Sequence, residues 1–187
     1  MTKSECRTAF LAKRKLISTA EINAFSAQII ELLTNNFDLS SKVVSLFLPI
    51  ESKNEINTFL LLELKEQLNV QFALPVANFE TNAMTHYLFE SLEQLQKNSY
   101  DIPEPTFGKV IPENEIDVVI VPLLCVDKNG YRVGYGKGFY DRFLTQCKAT
   151  CQFIGLSLFE PIDELDDASE NDVPLHFCVT PTQVHSF

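Results

Sequence analysis

The chain has no apolar run near the ~20 residues that a membrane-spanning helix requires. Its opening, MTKSECRTAFLAKRK, is polar and cationic and lacks the apolar core of a secretory signal, so the expected location is the cytoplasm. Basic residues are in deficit, 15 Lys and Arg against 25 Asp and Glu, for a formal charge of -10. That balance excludes nonspecific binding to nucleic acid, which needs a basic face to neutralise phosphates. Cysteines number five, at 6, 125, 147, 151 and 178, an odd count without a CxxC pair. They are poor material for a disulfide framework and are read as reduced thiols. Cys147 and Cys151 stand four apart, a spacing that lets two metal ligands share a helix face, yet no histidine nearby completes a set. Glycine is scarce as well: six in 187 residues.

What is present fits a single folded unit spanning 1–187, with 45% hydrophobic and 21% charged residues. Residues 3–16 show a helical rhythm, and STAE at 18–21 forms a capping box before INAFSAQIIELL. KVVSLFLPI, 42–50, is apolar and β-branched without a helical period, as expected of a buried strand. INTFLLLELKEQL, 56–68, follows as a helix and VQFALPVA, 70–77, as the next strand, a unit that implies parallel pairing. MTHYLF reads as a strand, whereas the proline-rich YDIPEPTFGKVIP reads as loop bordering a site. DVVIVPLLCV, 117–126, is the most apolar strand; CQFIGLSLF, 151–159, and VPLHFCVTP, 173–181, follow. The pattern predicts an α/β fold with three layers, helices covering both faces of an open, mostly parallel sheet.

Four of the six glycines fall within nine residues of GYRVGYGKGFYDRF, 130–143, between the most hydrophobic strand and a helix. Ligands of open parallel sheets bind there, beyond the carboxyl ends of the strands. The stretch fits neither common phosphate motif. Tyr131 stands where a P-loop needs its first glycine and Gly138 where it needs Ser or Thr, while Gly134, Gly136 and Gly138 give GxGxG in place of GxGxxG. Unhindered backbone amides with Lys137 among them nevertheless suit an anion, Arg132 adds a forked donor, and Asp141 is placed to hold a metal ion bridging phosphates. A second cationic group, Lys3, Arg7, Lys13, Arg14 and Lys15, crowds the N-terminus. Two local positive sites in an acidic chain point to a small anionic ligand.

Residues 111–144, IPENEIDVVIVPLLCVDKNGYRVGYGKGFYDRFL, closely resemble the signature of the 5-formyltetrahydrofolate cyclo-ligase family, whose members are also called methenyltetrahydrofolate synthetases. The resemblance continues in family order with Lys3 and Arg7, Glu55 in EINT, IPEP at 102–105 and ENDVPL at 170–175. It implies ATP- and magnesium-dependent closure of 5-formyltetrahydrofolate to 5,10-methenyltetrahydrofolate, on a fold like that of sugar-phosphate isomerases and CoA transferases. Transferred to this sequence, the resemblance implies an ATP site of Lys3, Arg7, Arg132, Val133, Gly134, Tyr135, Gly136, Lys137, Gly138, Phe139 and Tyr140, with Lys137 and Arg132 catalytic. It implies folate contacts from Leu48, Ile50 and Glu55, shared with Tyr135, Gly136, Lys137, Gly138 and Phe139, and magnesium on Asp141 and Asp172. A monomer acting on small molecules is expected. Three departures from the family pattern stand out: Cys6 where a leucine is usual, Val126 where an aromatic is often found, and His176 where a second aspartate is common. The rival readings are a noncatalytic folate-binding module and a sugar-phosphate or CoA-handling enzyme of the same layered fold.

Overall fold

A computed structural model describes residues 1–187. Five helices are formed: α1 (Lys3–Lys15), α2 (Thr19–Asn36), α3 (Phe59–Glu63), α4 (Lys65–Leu68) and α5 (Phe139–Leu144). The strands are β1 (Val43–Leu46), β2 (Gln71–Asn78), β3 (Ala83–Leu88), β4 (Leu95–Lys97), β5 (Pro103–Pro105) and β6 (Val110–Ile111). They continue with β7 (Val118–Pro122), β8 (Cys125–Val126), β9 (Arg132–Val133), β10 (Gln152–Leu156), β11 (Phe177–Val179) and β12 (Val184–Ser186).

Eight strands make the main sheet in the order β12-β11-β10-β7-β1-β2-β3-β6. The central pairs β10–β7, β7–β1, β1–β2 and β10–β11 are parallel, and the outer pairs are antiparallel. Alternation along β7 divides the core. Val118 and Ile120 pack with Ile29 and Leu33 of α2 and Leu61 of α3 on one face. Val119 and Val121 pack with Phe143 and Leu144 of α5 on the other. The expected three-layer α/β arrangement is therefore formed. Both opening helices begin with reciprocal capping boxes, Thr2 with Glu5 and Ser18 with Glu21, which satisfy donors that would otherwise be orphaned.

Several boundaries depart from the sequence expectation, each for a local reason. The strand expected over 42–50 ends at Leu46, and Phe47–Ile50 leave the sheet as cavity wall. The helix expected over 56–68 is broken at Leu64 into α3 and α4. The apolar run 117–126 is two strands: β7 stops at Pro122, which lacks a ladder donor, and Cys125–Val126 turn away to pair with Arg132–Val133 in a separate hairpin. Asp127 closes that hairpin, its carboxylate accepting from the amides of Asn129 and Tyr131 at 2.9 Å each. The proline-rich stretch is partly ordered as strands after all: β5, Pro-Glu-Pro, pairs only with β4, an edge position that tolerates the missing amides. The last expected strand is Phe177–Val179, and β12 follows it antiparallel. Cys147 and Cys151 share no helix, since α5 ends at Leu144, and no cluster of three His, Cys, Asp or Glu side chains is assembled to hold a metal. All five cysteines are free thiols.

The order β10-β7-β1-β2 places a switch point between β7 and β1. From β1 the chain crosses through α3 and α4 to β2, and from β7 through α5 to β10 on the opposite side. A crevice opens beyond their carboxyl ends. No helix is long and apolar enough to cross a membrane.

Candidate active site

The crevice is a cavity of about 650 Å3. Its floor is strand-end backbone and apolar side chains: Phe47 and Leu48 after β1, Leu74 and Pro75 on β2, and Pro122 at the end of β7. Every site residue predicted from the sequence lines it, from Lys3 and Arg7 through Leu48, Ile50 and Glu55 to the stretch 132–141 and Asp172. Lys3 and Arg7 of the N-terminal cationic group thus join Arg132 and Lys137 at one cavity, whereas Lys13, Arg14 and Lys15 do not line it. Helix α1 packs on the β8–β9 hairpin through Cys6 and Phe10, which bury against Leu124, Cys125 and Val133. Cys6 is fully enclosed there, so the departure from leucine is absorbed by packing. That docking carries Arg7 to the glycine turn, where its Nε donates to the Gly134 carbonyl at 2.9 Å.

The glycine stretch is a turn leading into α5. Gly136 and Gly138 have φ of +88° and +67°, conformations that side chains with a Cβ adopt only under strain. None of the backbone amides from Gly134 to Gly138 donates to another protein group. The Lys137 ammonium makes no ion pair, whereas its carbonyl accepts from Arg142. Unpartnered amides and a free ammonium around one turn form a surface complementary to an oxyanion.

The two carboxylates sit on the same side and are held by cations. Asp172 accepts from Lys3 Nζ at 2.5 Å and from the Ser169 amide and hydroxyl at 2.6 and 3.0 Å. Burial works against its charge, but Lys3 and Ser169 outweigh burial and keep the carboxyl below its usual range. Asp141 accepts through Oδ1 from Arg132 Nη2 at 2.7 Å and from the Val173 amide at 3.2 Å. Arg132 donates its other arm to the Val173 carbonyl at 2.5 Å, so its fork grips the protein on both sides and does not stand free toward the cavity. Burial lowers the Arg132 pKa and Asp141 opposes the shift. Oδ2 of Asp141 and Oδ1 of Asp172 remain uncommitted, and two hard oxygens on neighbouring carboxylates match the small protein share of a magnesium shell.

Beside the glycine turn, Glu55 is 7% exposed, accepting through Oε2 from the Ile50 amide at 2.8 Å and through Oε1 from the Tyr135 hydroxyl at 2.5 Å. Burial, reinforced by Glu55, pushes the Tyr135 phenol far up, so it remains a donor. Tyr140 is likewise pushed up by burial. His176 does not line the cavity: its Nδ1 accepts from the Phe153 amide at 2.9 Å and its ring lies against Phe153 near the start of β10.

Lys53 and Phe79 line the cavity without a sequence signal, whereas Tyr100 and Glu104 come from the proline-rich stretch expected to border a site. Lys53 sits 4.3 Å over the Tyr135 ring, and Phe79 stacks on Tyr100 at 4.2 Å while meeting Phe139 edge-on at 5.3 Å. Glu104 of the IPEP segment is buried, its carboxylate accepting from the Ala77 amide and the Asn98 side chain at 3.1 and 2.8 Å. In all, Lys3, Arg7, Lys53, Arg132 and Lys137 line the cavity together with Glu55, Glu104, Asp141 and Asp172.

The model of the 5-formyltetrahydrofolate cyclo-ligase family matches residues 1–181. A 5-formyltetrahydrofolate cyclo-ligase of Mycolicibacterium smegmatis is 28% identical over 186 residues, 96% of this chain and 94% of that protein. The Escherichia coli K12 protein of the same name is 31% identical over 145 residues, 75% of this chain and 79% of its own. Among solved structures, the 5,10-methenyltetrahydrofolate synthetase of Aquifex aeolicus superposes with a TM-score of 0.83 at 30% identity, covering 100% of this chain and 93% of that one. The Mycoplasma pneumoniae synthetase gives 0.77 at 25%, covering 97% and 99%. The family model spans nearly the whole chain, and the chain belongs to the 5-formyltetrahydrofolate cyclo-ligase family.

Proposed function

We propose that residues 1–187 act as a single-domain enzyme that closes 5-formyltetrahydrofolate to 5,10-methenyltetrahydrofolate with consumption of ATP. The observation that carries the reading is convergence: residues drawn from α1, the end of β1, the glycine turn, α5 and the segment before β11 all line one cavity. The chemical difficulty is the formyl oxygen, part of an amide and a poor leaving group. Its attack on the γ-phosphorus of ATP releases ADP and leaves a phosphate ester on the formyl carbon. N10 then adds to that carbon and loses its proton, and the N5 lone pair expels phosphate. The product is the cyclic amidinium. No nucleophilic side chain is required, so catalysis rests on positioning and charge neutralisation.

Lys137, free of any protein counter-ion, is assigned to the transferring phosphoryl group. The amides of 134–138 and the Arg7 guanidinium hold the remaining phosphate oxygens, with Lys3 beside them. Arg132 acts mainly by holding Asp141 in place. Asp141 and Asp172 would hold magnesium through their uncommitted oxygens, where it would offset polyphosphate charge. Leu48, Ile50 and Glu55 form the folate side, and the aromatic cluster Phe79, Tyr100 and Phe139 supplies flat apolar surface there.

The test is ultraviolet absorbance of the purified protein with 5-formyltetrahydrofolate, with and without ATP and magnesium, alongside Lys137→Ala. Ring closure creates a methenyl chromophore absent from the substrate. Its appearance only with ATP and magnesium, and its loss by about 100-fold or more in the variant, is the expected result. Tight folate binding without any chromophore would leave a binding module and overturn the reading.

A further inference from the structure

Arg14 is the one buried cation next to the site that does not line the cavity. It is 3% exposed and lies on the inner face of α1, two turns beyond Arg7. Its Nη2 donates to the Leu123 carbonyl at 2.6 Å, just past the end of β7. Its Nη1 donates to the Tyr135 hydroxyl at 3.3 Å and stands 3.9 Å from Glu55 Oε1. The Tyr135 hydroxyl in turn donates to that same Oε1 at 2.5 Å. Guanidinium, phenol and carboxylate therefore form a directed chain that ends in the cavity. The segment carrying Glu55 is fixed to α1 as well, because Asn54, in left-handed conformation at φ +50°, donates to the carbonyls of Arg14 and Ile17 at 3.1 and 3.0 Å.

An arginine so deep is costly to bury and needs a compensating role. Its Nε has no partner at all, so the site is not arranged to satisfy the guanidinium as fully as possible. What the arrangement does achieve is a Glu55 carboxylate held in one orientation, whose two oxygens each retain a lone pair after accepting from Tyr135 and Ile50. A carboxylate held in one orientation accepts two parallel N–H donors, such as the amino group and ring N–H of an aminopyrimidinone. The phosphate-facing groups Lys137, Asp141 and Asp172 share no hydrogen bond with this chain of three.

We propose that Arg14 is a positioning residue for the folate head group, acting through the Tyr135 hydroxyl to hold the Glu55 carboxylate in its accepting orientation, with no part in phosphoryl transfer. The proposal rests on the functional reading above. It gives α1 two tasks at one cavity: Lys3 and Arg7 serve the nucleotide and, from the next turns, Arg14 serves the folate.

The experiment is steady-state kinetics, read by the methenyl chromophore, on wild type, Arg14→Met, Arg14→Lys, Tyr135→Phe and the double variant Arg14→Met/Tyr135→Phe. Loss of one charge-assisted hydrogen bond corresponds to about a tenfold change. Arg14→Met should raise the KM for 5-formyltetrahydrofolate by about that factor, with kcat and the KM for ATP within about twofold of wild type. Arg14→Lys should recover part of the loss. Because the effect runs through Tyr135, the double variant should be no worse than the poorer single one. Multiplying effects in the double variant, or a fall in kcat with a rise in the KM for ATP, would overturn the proposal. If Arg14→Met does not fold, the Arg14→Lys and Tyr135→Phe pair, measured by calorimetric titration of folate without ATP, decides the same question. A wild type that binds folate without making chromophore would refute the cyclo-ligase activity and leave the binding arm intact; a wild type that binds no folate would overturn both.

Discussion

The Arg7 guanidinium covers Gly136: a β-carbon on that glycine would stand 3.1 Å from Arg7 Cζ and 3.2 Å from Nη2. Helix α1 and the glycine turn are thereby matched face to face, and the match depends on a missing side chain. Gly136→Ala adds backbone strain at φ +88° to this close approach, at a cost of about 1–2 kcal/mol. Displacement of Arg7 should raise the KM for ATP several-fold and leave the KM for folate near its original value. Initial rates at varied ATP and fixed folate check the split.

Asp141→Asn should weaken the fold as well as the reaction. Arg132 is buried and its counter-ion is Asp141 at 2.7 Å; the amide keeps an acceptor there but removes the charge. Because Asp141 is about a third exposed, solvent shares the burden, and the loss is set at about 1–3 kcal/mol, below that of a wholly buried pair. Urea unfolding at pH 7.5 reads it, and excess magnesium should restore neither stability nor rate.

A third expectation concerns acid. The His86 ring lies between Ser45, whose hydroxyl is 2.9 Å from Nε2, and Phe143 of α5, stacked at 4.4 Å. Burial lowers its pKa from 6.5 to about 4. With the folded value depressed, the unfolded chain binds the extra proton first, so stability is intact above pH 6.5 and declines as pH falls toward 4. The decline amounts to about 3 kcal/mol over that window. Denaturant midpoints at pH 7.5, 6 and 5 should follow it, and His86→Gln should flatten the curve there. Glu160, held down to about 2 against burial by Thr182, Thr180 and Gln183, adds its own loss only below the ordinary carboxylate range.

Gly155 on β10 offers a purely structural test. A β-carbon there would lie 2.6 Å from both Leu123 Cδ2 and Leu175 Cδ1, side-chain ends that must move to admit it. Gly155→Ala should cost about 1–3 kcal/mol, seen as a lower thermal midpoint, with both KM values unchanged.

Period and spacing exposed the elements whose signal is local. The capping box at Ser18, the apolar runs of β7 and β10 and the glycine turn were all legible because a few adjacent residues determine each. The break of 117–126 at Pro122 was not, since Leu123 to Val126 are as apolar as a strand interior and only pairing with Arg132–Val133 reveals the change of sheet. Proline at 103 and 105 suggested loop, and an edge partner overrode it. The site was legible as residues and illegible as partnerships: Arg132 was expected to reach phosphate, yet its fork is filled by Asp141 and Val173. Arg14 sat unnoticed in a cationic run, because only tertiary packing separates the buried arginine from its solvated neighbours Lys13 and Lys15.

Five cations among four carboxylates make the cavity lining nearly neutral inside a chain of charge -10. Seen from farther than the ~8 Å screening distance at physiological ionic strength, the protein repels an anionic substrate, and attraction begins only within the crevice. A cleft lined purely by cations loses ligand as salt is added; this one should meet its anions faster when moderate salt damps the outer field. Discrimination between anions is thereby left to contact geometry, with little help from long-range steering.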